Sequence, residues 1–354
     1  AGRNRKALEL ARERGLRPAF DPEPWRNQLE PDHPKRAGTF SKLPYALADT
    51  TIWDPATPLA PSEVDEVPHA WLESQIAVGG LDLLIPGHVY PGVGGPARRN
   101  DLTLARRAFE LAENQMLAIR PSDDADRTIT VQVNVLLANT EPLELERLAD
   151  AYAELGAERY WINAVNFTGS IKQFALLRGL TGRLKQKTGA EITLAGLGRL
   201  WPGALIEGAD CVCFGYQRSA FPFPPANLAE ELDEDDGLGV HVYHPAVMGA
   251  IRLGDEGEWT RQFLFQRFPC RCGHHEPQEP PDRKPAQILH NAWCAARELE
   301  WATSPTLSQA AVDTRIAEAL ALRVRVGMGK LDTAWTRLHV REDAPGQAED
   351  GGAS

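Results

Sequence analysis

Between positions 81 and 214 short β-rich runs alternate with helical stretches, and this alternation limits the fold more than any other feature of the chain. The β-type runs are 81–86 (LDLLIP), 128–137 (TITVQVNVLL), 159–165 (RYWINAV), 191–197 (EITLAGL) and 210–214 (DCVCF). Helical spacing of apolar residues falls between them, at 102–117, 141–155, 171–188 and, briefly, 202–207. Such a rhythm predicts a parallel sheet with helices outside it. Several β/α repeats whose strands end in small or polar residues fit a (β/α)8 TIM barrel, with its site at the C-terminal strand ends. An open doubly wound sheet is the competitor, but no Gly-x-Gly-x-x-Gly turn follows the first strand. The Gly-rich stretch 91–96 (PGVGGP) lacks the Lys-Ser/Thr of a phosphate-binding loop and reads as a connecting loop.

With 354 residues and 43% hydrophobic content, the chain can bury one large domain with an appendage, or two smaller ones. The expected divisions are a basic helix and Pro-rich linker at 1–40, the main strands and helices at 41–225, a metal-binding segment with closing helices at 226–335, and an acidic tail at 336–354. No apolar run is long enough to span a bilayer and the first residues resemble no signal segment, so no membrane partner is expected. Five cysteines, an odd number, point to metal or reduced-thiol use and hence to a cytoplasmic location. The net charge of −11 argues against a simple nucleic-acid binder. Part of the acid lies at 230–236 and 342–350, however, while basic residues cluster at 3–17, 98–99, 183–187, 261–271 and 323–341. Local patches decide binding more than the sum does.

The densest chemical signal is Cys270-x-Cys272-x2-His275, followed by His290-Asn291. Two thiolates and two imidazoles at close spacing are what a tetrahedral zinc site needs, and Gly273 lets the backbone turn between ligands. The segment from 288 reads as a helix, which would hold His290 rigidly. His274 can stand in for His275, and Cys294, one helical turn after His290, is a further or substitute ligand. A closed Cys2His2 shell leaves no position for a reacting water, so the predicted Zn2+ is structural.

Metal segment and barrel rhythm together resemble the tRNA-guanine transglycosylase family, which carries Cys-x-Cys-x2-Cys and a later His-Asn at the end of a TIM barrel. The resemblance extends over about residues 45–300: Ala48-Asp49-Thr50-Thr51, Thr130-Val-Gln132-Val-Asn134, Trp161-Ile162-Asn163-Ala164, and Leu194-Ala-Gly196-Leu-Gly198 followed by Gly208-Ala-Asp210 occur in the family's order. It implies replacement of guanine in nucleic acid by a 7-deazaguanine such as 7-cyano-7-deazaguanine. It also implies a structural zinc and a homodimer. This chain departs from the family pattern at several points. The third cysteine is His275, the early Gly-Gly-Phe-Gln is absent, and the last-strand nucleophile position falls near Cys213. The departures resemble the branch that inserts 7-deazaguanines into DNA, so DNA is favoured slightly over tRNA as acceptor.

Base exchange needs a carboxylate to attack the sugar C1′ and a second group to manage the proton on the base. The expected catalytic pair is Asp49 and Asp210, with Asp54 as substitute. Thr50, His88, Gln132, Asn163 and Gly196 are the expected base-contacting residues, Gln132 because an amide can both donate to and accept from a purine edge. Arg261, Arg267 and Arg271 flank the metal segment, where they would meet phosphates. Two other readings remain: a non-catalytic relative that binds nucleic acid or a catalytic partner, and a metal-dependent barrel hydrolase using His88, His241 and His244.

Overall fold

The computed structural model describes residues 57–77, 82–88, 95–118, 128–138, 140–165, 167–213, 241–252, 258–281, 284–331 and 333–340. Expectations placed on the N-terminal helix, on Asp49, Thr50 and Asp54, and on the acidic tail beyond residue 340 lie outside these residues, whereas 336–340 are described and Leu338 is buried. In chain order the elements are α1 (Pro61–Ala77), β1 (Leu83–Ile85), α2 (Gly95–Ala118), β2 (Ile129–Leu136), α3 (Pro142–Ala153), β3 (Arg159–Val165), α4 (Ile171–Thr188), β4 (Glu191–Ala195), α5 (Trp201–Ile206) and β5 (Cys211–Cys213). A hairpin of β6 (His241–His244) and β7 (Gly249–Arg252) follows, then α6 (Glu258–Arg267), α7 (Lys284–Ala302) and α8 (Gln309–Arg325).

Strands β1 to β5 form one α/β sheet in strictly sequential order, and β1, β2 and β3 pair in parallel. The order never reverses, so the switch point of a doubly wound fold is missing among the described strands. By contacts the chain divides into two compact units, 1–165 with 175–193, and 166–174 with 194–354.

In the first unit the alternation of β2 sorts its residues by face. Val131, Val133 and Val135 stand in register with Tyr160, Ile162 and Ala164 of β3, and all six are buried. On the opposite face Gln132 pairs with Trp161 and Asn134 with Asn163. Strands of a parallel sheet are usually apolar on both faces; here one face is polar, and Gln132, Asn134 and Asn163 are nevertheless buried. Helix α3 starts with Pro142 in its first turn and a capping box made by Glu141 and Glu144. Its buried Leu145, Leu148, Ala149 and Tyr152 recur at helical spacing, and the Tyr160 hydroxyl donates to the Tyr152 carbonyl at 2.8 Å.

The outer edge of β1 is closed by a side chain. Gln75 of α1 accepts from Leu84 N–H at 2.7 Å and donates to Leu84 C=O at 2.8 Å, as a neighbouring strand would. This helix was not foreseen from sequence because Pro68 lies inside it. Closing the sheet into a ring through the middle of β1 would require Gln75 to give way.

The second unit packs Val247, Ile251, Leu264 and Val326 into a small core. Arg323, itself buried, donates to the carbonyls of Gly329, Val247 and Lys330 and so fixes the end of α8. Among the described residues no helix is long and apolar enough to cross a membrane. Replacing Gln75 by Ala leaves two buried backbone groups unpaired, so urea unfolding should show a loss of about 2 kcal/mol or more; an unchanged midpoint would contradict this account of the β1 edge.

Candidate metal centre and candidate binding site

The metal cluster is built by two elements of the second unit. Chain from α6 runs through Cys270, Cys272 and His275, with Gly273 at φ 72° supplying the turn between ligands. Helix α7 presents His290. One ligand atom from each of Cys270, Cys272, His275 and His290 can be chosen so that all lie within 4.8 Å of one another. A tetrahedral ion with bonds of about 2.0–2.3 Å needs ligand separations of roughly 3.3–3.8 Å, which this cluster can supply with small adjustments.

Hydrogen bonds outside the cluster decide which atom of each ring faces in. His275 Nδ1 lies 2.9 Å from the Glu276 carbonyl and 2.7 Å from that of Glu279. Carbonyls only accept, so Nδ1 carries the hydrogen and Nε2 presents its lone pair. His290 is set the opposite way: Nε2–H donates to the Tyr243 carbonyl at 2.8 Å, and Nδ1 faces Cys270 Sγ at 3.3 Å. The two inward nitrogens stand 3.0 Å apart. Two lone pairs at that distance repel unless a cation lies between them. Backbone N–H groups of Cys272 and His274 point at the sulfurs of Cys270 and Cys272, both at 3.4 Å, as suits thiolates.

Burial lowers the His290 pKa to about 4, helped by the neighbouring His275, so the ring stays neutral and able to ligate. Burial likewise pushes the Cys270 thiol up to about 11, and a bound divalent ion would displace that proton. The cluster could therefore hold a zinc-like metal ion. The alternatives left open by spacing are resolved by geometry. Cys294 lies 3.5 Å from His290 Nε2, on the outer side of the ring, and His274 is not among the four converging residues.

Asn291 completes the arrangement, since its Oδ1 accepts the Tyr243 N–H at 2.9 Å while His290 takes the Tyr243 carbonyl. The paired His-Asn thus holds both backbone groups of one strand residue. Tyr243 is also held through its hydroxyl by buried Glu298, which pairs with Arg315 of α8. His244 accepts from the Ala246 N–H and packs edge-on to Phe265, so it caps a turn; His241's side chain lies outside the described residues.

The first unit holds a second polar cluster at the C-terminal ends of its strands. Gly87 N–H donates to Gln132 Oε1 at 3.0 Å, and Asn134 Nδ2 donates to the Gly87 carbonyl at 2.6 Å. A Cβ on Gly87 would come within 3.0 Å of the Gln132 carbonyl oxygen, so glycine permits the close approach. Because the Gly87 carbonyl can only accept, Asn134 must turn its Oδ1 away, and Asn163 Nδ2 donates to that oxygen at 2.7 Å. The chain of amides ends on Asn163 Oδ1, a buried acceptor with no partner. Two residues earlier on the same face, the Trp161 indole N–H is also buried without one.

Beside this chain lies a buried carboxylate. Asp101 accepts from Tyr152 OH at 2.7 Å, from Arg98 at 3.2 Å and from His88 N–H at 3.1 Å, and His88 Nδ1 lies 3.2 Å away. Burial opposes the charge, but the His88 hydrogen bond and the Arg98 and His88 charges outweigh it and hold the Asp101 carboxyl below its ordinary value.

The structure therefore brings His88, Gln132 and Asn163 into one network. Gly196, with φ 77°, belongs to the other unit, and exposed Asp210 immediately precedes β5 instead of following it. Sequence reasoning passed over Asp101, Tyr152 and the role of Arg98; the available signal was Gln132 and Asn134 at strand period among valines. Compared with known proteins, the chain matches no family model and no curated protein.

Purified protein should contain one divalent metal ion per chain by elemental analysis. Stripping it should lower the melting temperature, Cys272→Ala or His290→Ala should abolish retention, and Cys294→Ala should leave stoichiometry unchanged; loss of metal in the last variant would refute the four-ligand set.

Proposed function

We propose that the protein is a zinc-containing base-exchange glycosyltransferase that replaces guanine in nucleic acid, DNA before tRNA, with a 7-deazaguanine. The observation that carries this reading is the amide chain from Gly87 to Asn163. It offers a buried acceptor, with the Trp161 indole N–H as a nearby unmet donor. A planar heterocycle bearing both N–H and C=O groups, as a guanine or deazaguanine does, satisfies both kinds of atom, and burial makes leaving them unpaired costly.

Zinc in this reading is held by Cys270, Cys272, His275 and His290 and is structural, since four protein ligands close its shell. Arg267 and Arg271 beside it would meet acceptor phosphates. The sequential strands would belong to a (β/α)8-like barrel that is open at the Gln75-capped edge. Gln132 then supports the site through Gly87, because its carbonyl oxygen is already engaged. The nucleophile's role, expected of Asp210, passes in this reading to Asp49, whose expected part was base contact or proton handling. A parallel site works at the C-terminal strand ends, whereas Asp210 stands at the start of its strand. That placement of Asp210 also favours a second reading, a non-catalytic relative that binds base or nucleic acid.

Nucleoside analysis of bulk DNA and tRNA from cells with and without the protein should show a 7-deazaguanine only when it is present; its absence from both would overturn the enzymatic reading. In vitro, Asn163→Ala should weaken binding of 7-cyano-7-deazaguanine by about 5- to 150-fold, the equivalent of one buried hydrogen bond. Unchanged affinity in calorimetry would remove Asn163 from the site.

A further inference from the structure

We propose that the exposed Trp259 ring on α6, stacked on Phe263 and flanked by the guanidinium groups of Arg267 and Arg325, is a docking surface for single-stranded DNA. The inference takes from the base-exchange reading only its expectation of a DNA acceptor, and it concerns binding, not transfer.

Helix α6 carries Trp259, Phe263 and Arg267 at successive four-residue steps, so two rings and a guanidinium make one stripe along it. Trp259 is 61% exposed, and its ring stacks on Phe263 with centroids 5.3 Å apart and planes 18° from parallel. Among the described residues no other ring meets it. Phe263 packs half-buried against the small core of Val247, Ile251, Leu264 and Val326. The Thr260 hydroxyl, between the two rings in sequence, donates to the Val326 carbonyl at 3.1 Å. The rings therefore stand on a fixed base, which lowers the entropy lost when a ligand stacks on them.

At the end of α8, Arg325 sets its guanidinium 5.2 Å from the centre of the Phe263 ring. Among the described residues neither Arg325 nor Arg267 pairs with a carboxylate, and nor does Arg271 in the metal loop. Exposed arginines elsewhere are neutralised: Arg106 pairs with Glu154, Arg107 with Asp65 and Glu110, and Arg297 with Glu300. Positive charge is thus left over on this stripe, in a chain whose net charge is −11.

A row of anionic groups answers the arginines, and a flat aromatic group answers the open face of Trp259. A nucleic-acid strand supplies both. The strand must be unpaired, because inside a duplex both faces of a base are already stacked. A second copy of the chain fits less well, since a two-fold contact through this stripe would bring like charges together. Arg261 falls on the other side of the helix, with its Nε buried, and is no part of the surface.

The test measures binding of a fluorescent oligothymidylate to the 354-residue chain by anisotropy, over about 50 to 200 mM salt. Trp259→Ala should weaken binding by about 5- to 150-fold, and Trp259→Phe, which keeps a ring, should restore most of it. Arg267→Gln and Arg325→Gln should each flatten the slope of log K against log salt by roughly 0.7, the mark of one lost phosphate contact. Arg106→Gln, in the first unit, should change neither quantity. A duplex of the same length should bind more weakly than the single strand and be indifferent to Trp259→Ala. Wild type that does not bind the single strand, or binding unchanged by Trp259→Ala, overturns the proposal. So does tighter binding of the matching RNA, or a wild-type dimer that Trp259→Ala turns into a monomer in sedimentation. Base exchange absent while the expected binding holds removes the enzymatic reading and leaves this surface standing. Base exchange present with binding indifferent to Trp259→Ala does the reverse.

Discussion

A backbone residue whose N–H and C=O are turned away from the sheet has to find partners elsewhere, and in this protein side chains supply them. Leu84 is held by Gln75, Gly87 by Gln132 and Asn134, and Tyr243 by Asn291 and His290. Each satisfies a buried donor and acceptor that would otherwise cost free energy. The consequence reaches further than stability. A carbonyl accepts and never donates, so each of these clamps also dictates how the side chain on it must be turned.

Both candidate sites inherit their polarity in this way. At the metal cluster the Tyr243 carbonyl claims Nε2–H of His290, which turns Nδ1 inward, and the carbonyls of Glu276 and Glu279 do the reverse for His275. In the first unit the Gly87 carbonyl orients Asn134, Asn134 orients Asn163, and the chain ends in an acceptor. Asp101 extends the same logic with a charge. A carboxylate taken out of water needs donors on both oxygens, and Tyr152, Arg98 and His88 provide them. Deleting one partner of such a network would disturb orientation at several removes, because its members polarise and fix one another.

Local regularities were readable before the fold was known. The run 128–137 contains β2 because valines alternate with polar residues, and RYWINAV coincides with β3. The four converging metal-site residues were recognisable because three lie within six positions and the fourth falls in a helical stretch, which the structure starts at Lys284, earlier than the expected start near 288. The helix at Pro61–Ala77 was hidden by Pro68. The Asp101 cluster was hidden by distance along the chain, since Tyr152 lies 51 residues from Asp101 and Asn134 lies 36 from Arg98.

By itself, then, the sequence determined the order of strands and helices from β1 to β5 and the stock of side chains able to bind a metal or a polar ligand. These follow from periodicity and composition within a few neighbouring residues. Only the tertiary structure decided that Cys294 stands behind His290, that Gln132 is spent on Gly87, and that Asn163 ends an amide chain as an acceptor. A ring's tautomer and an amide's orientation are set by whichever partner faces them, and those partners come from distant parts of the chain.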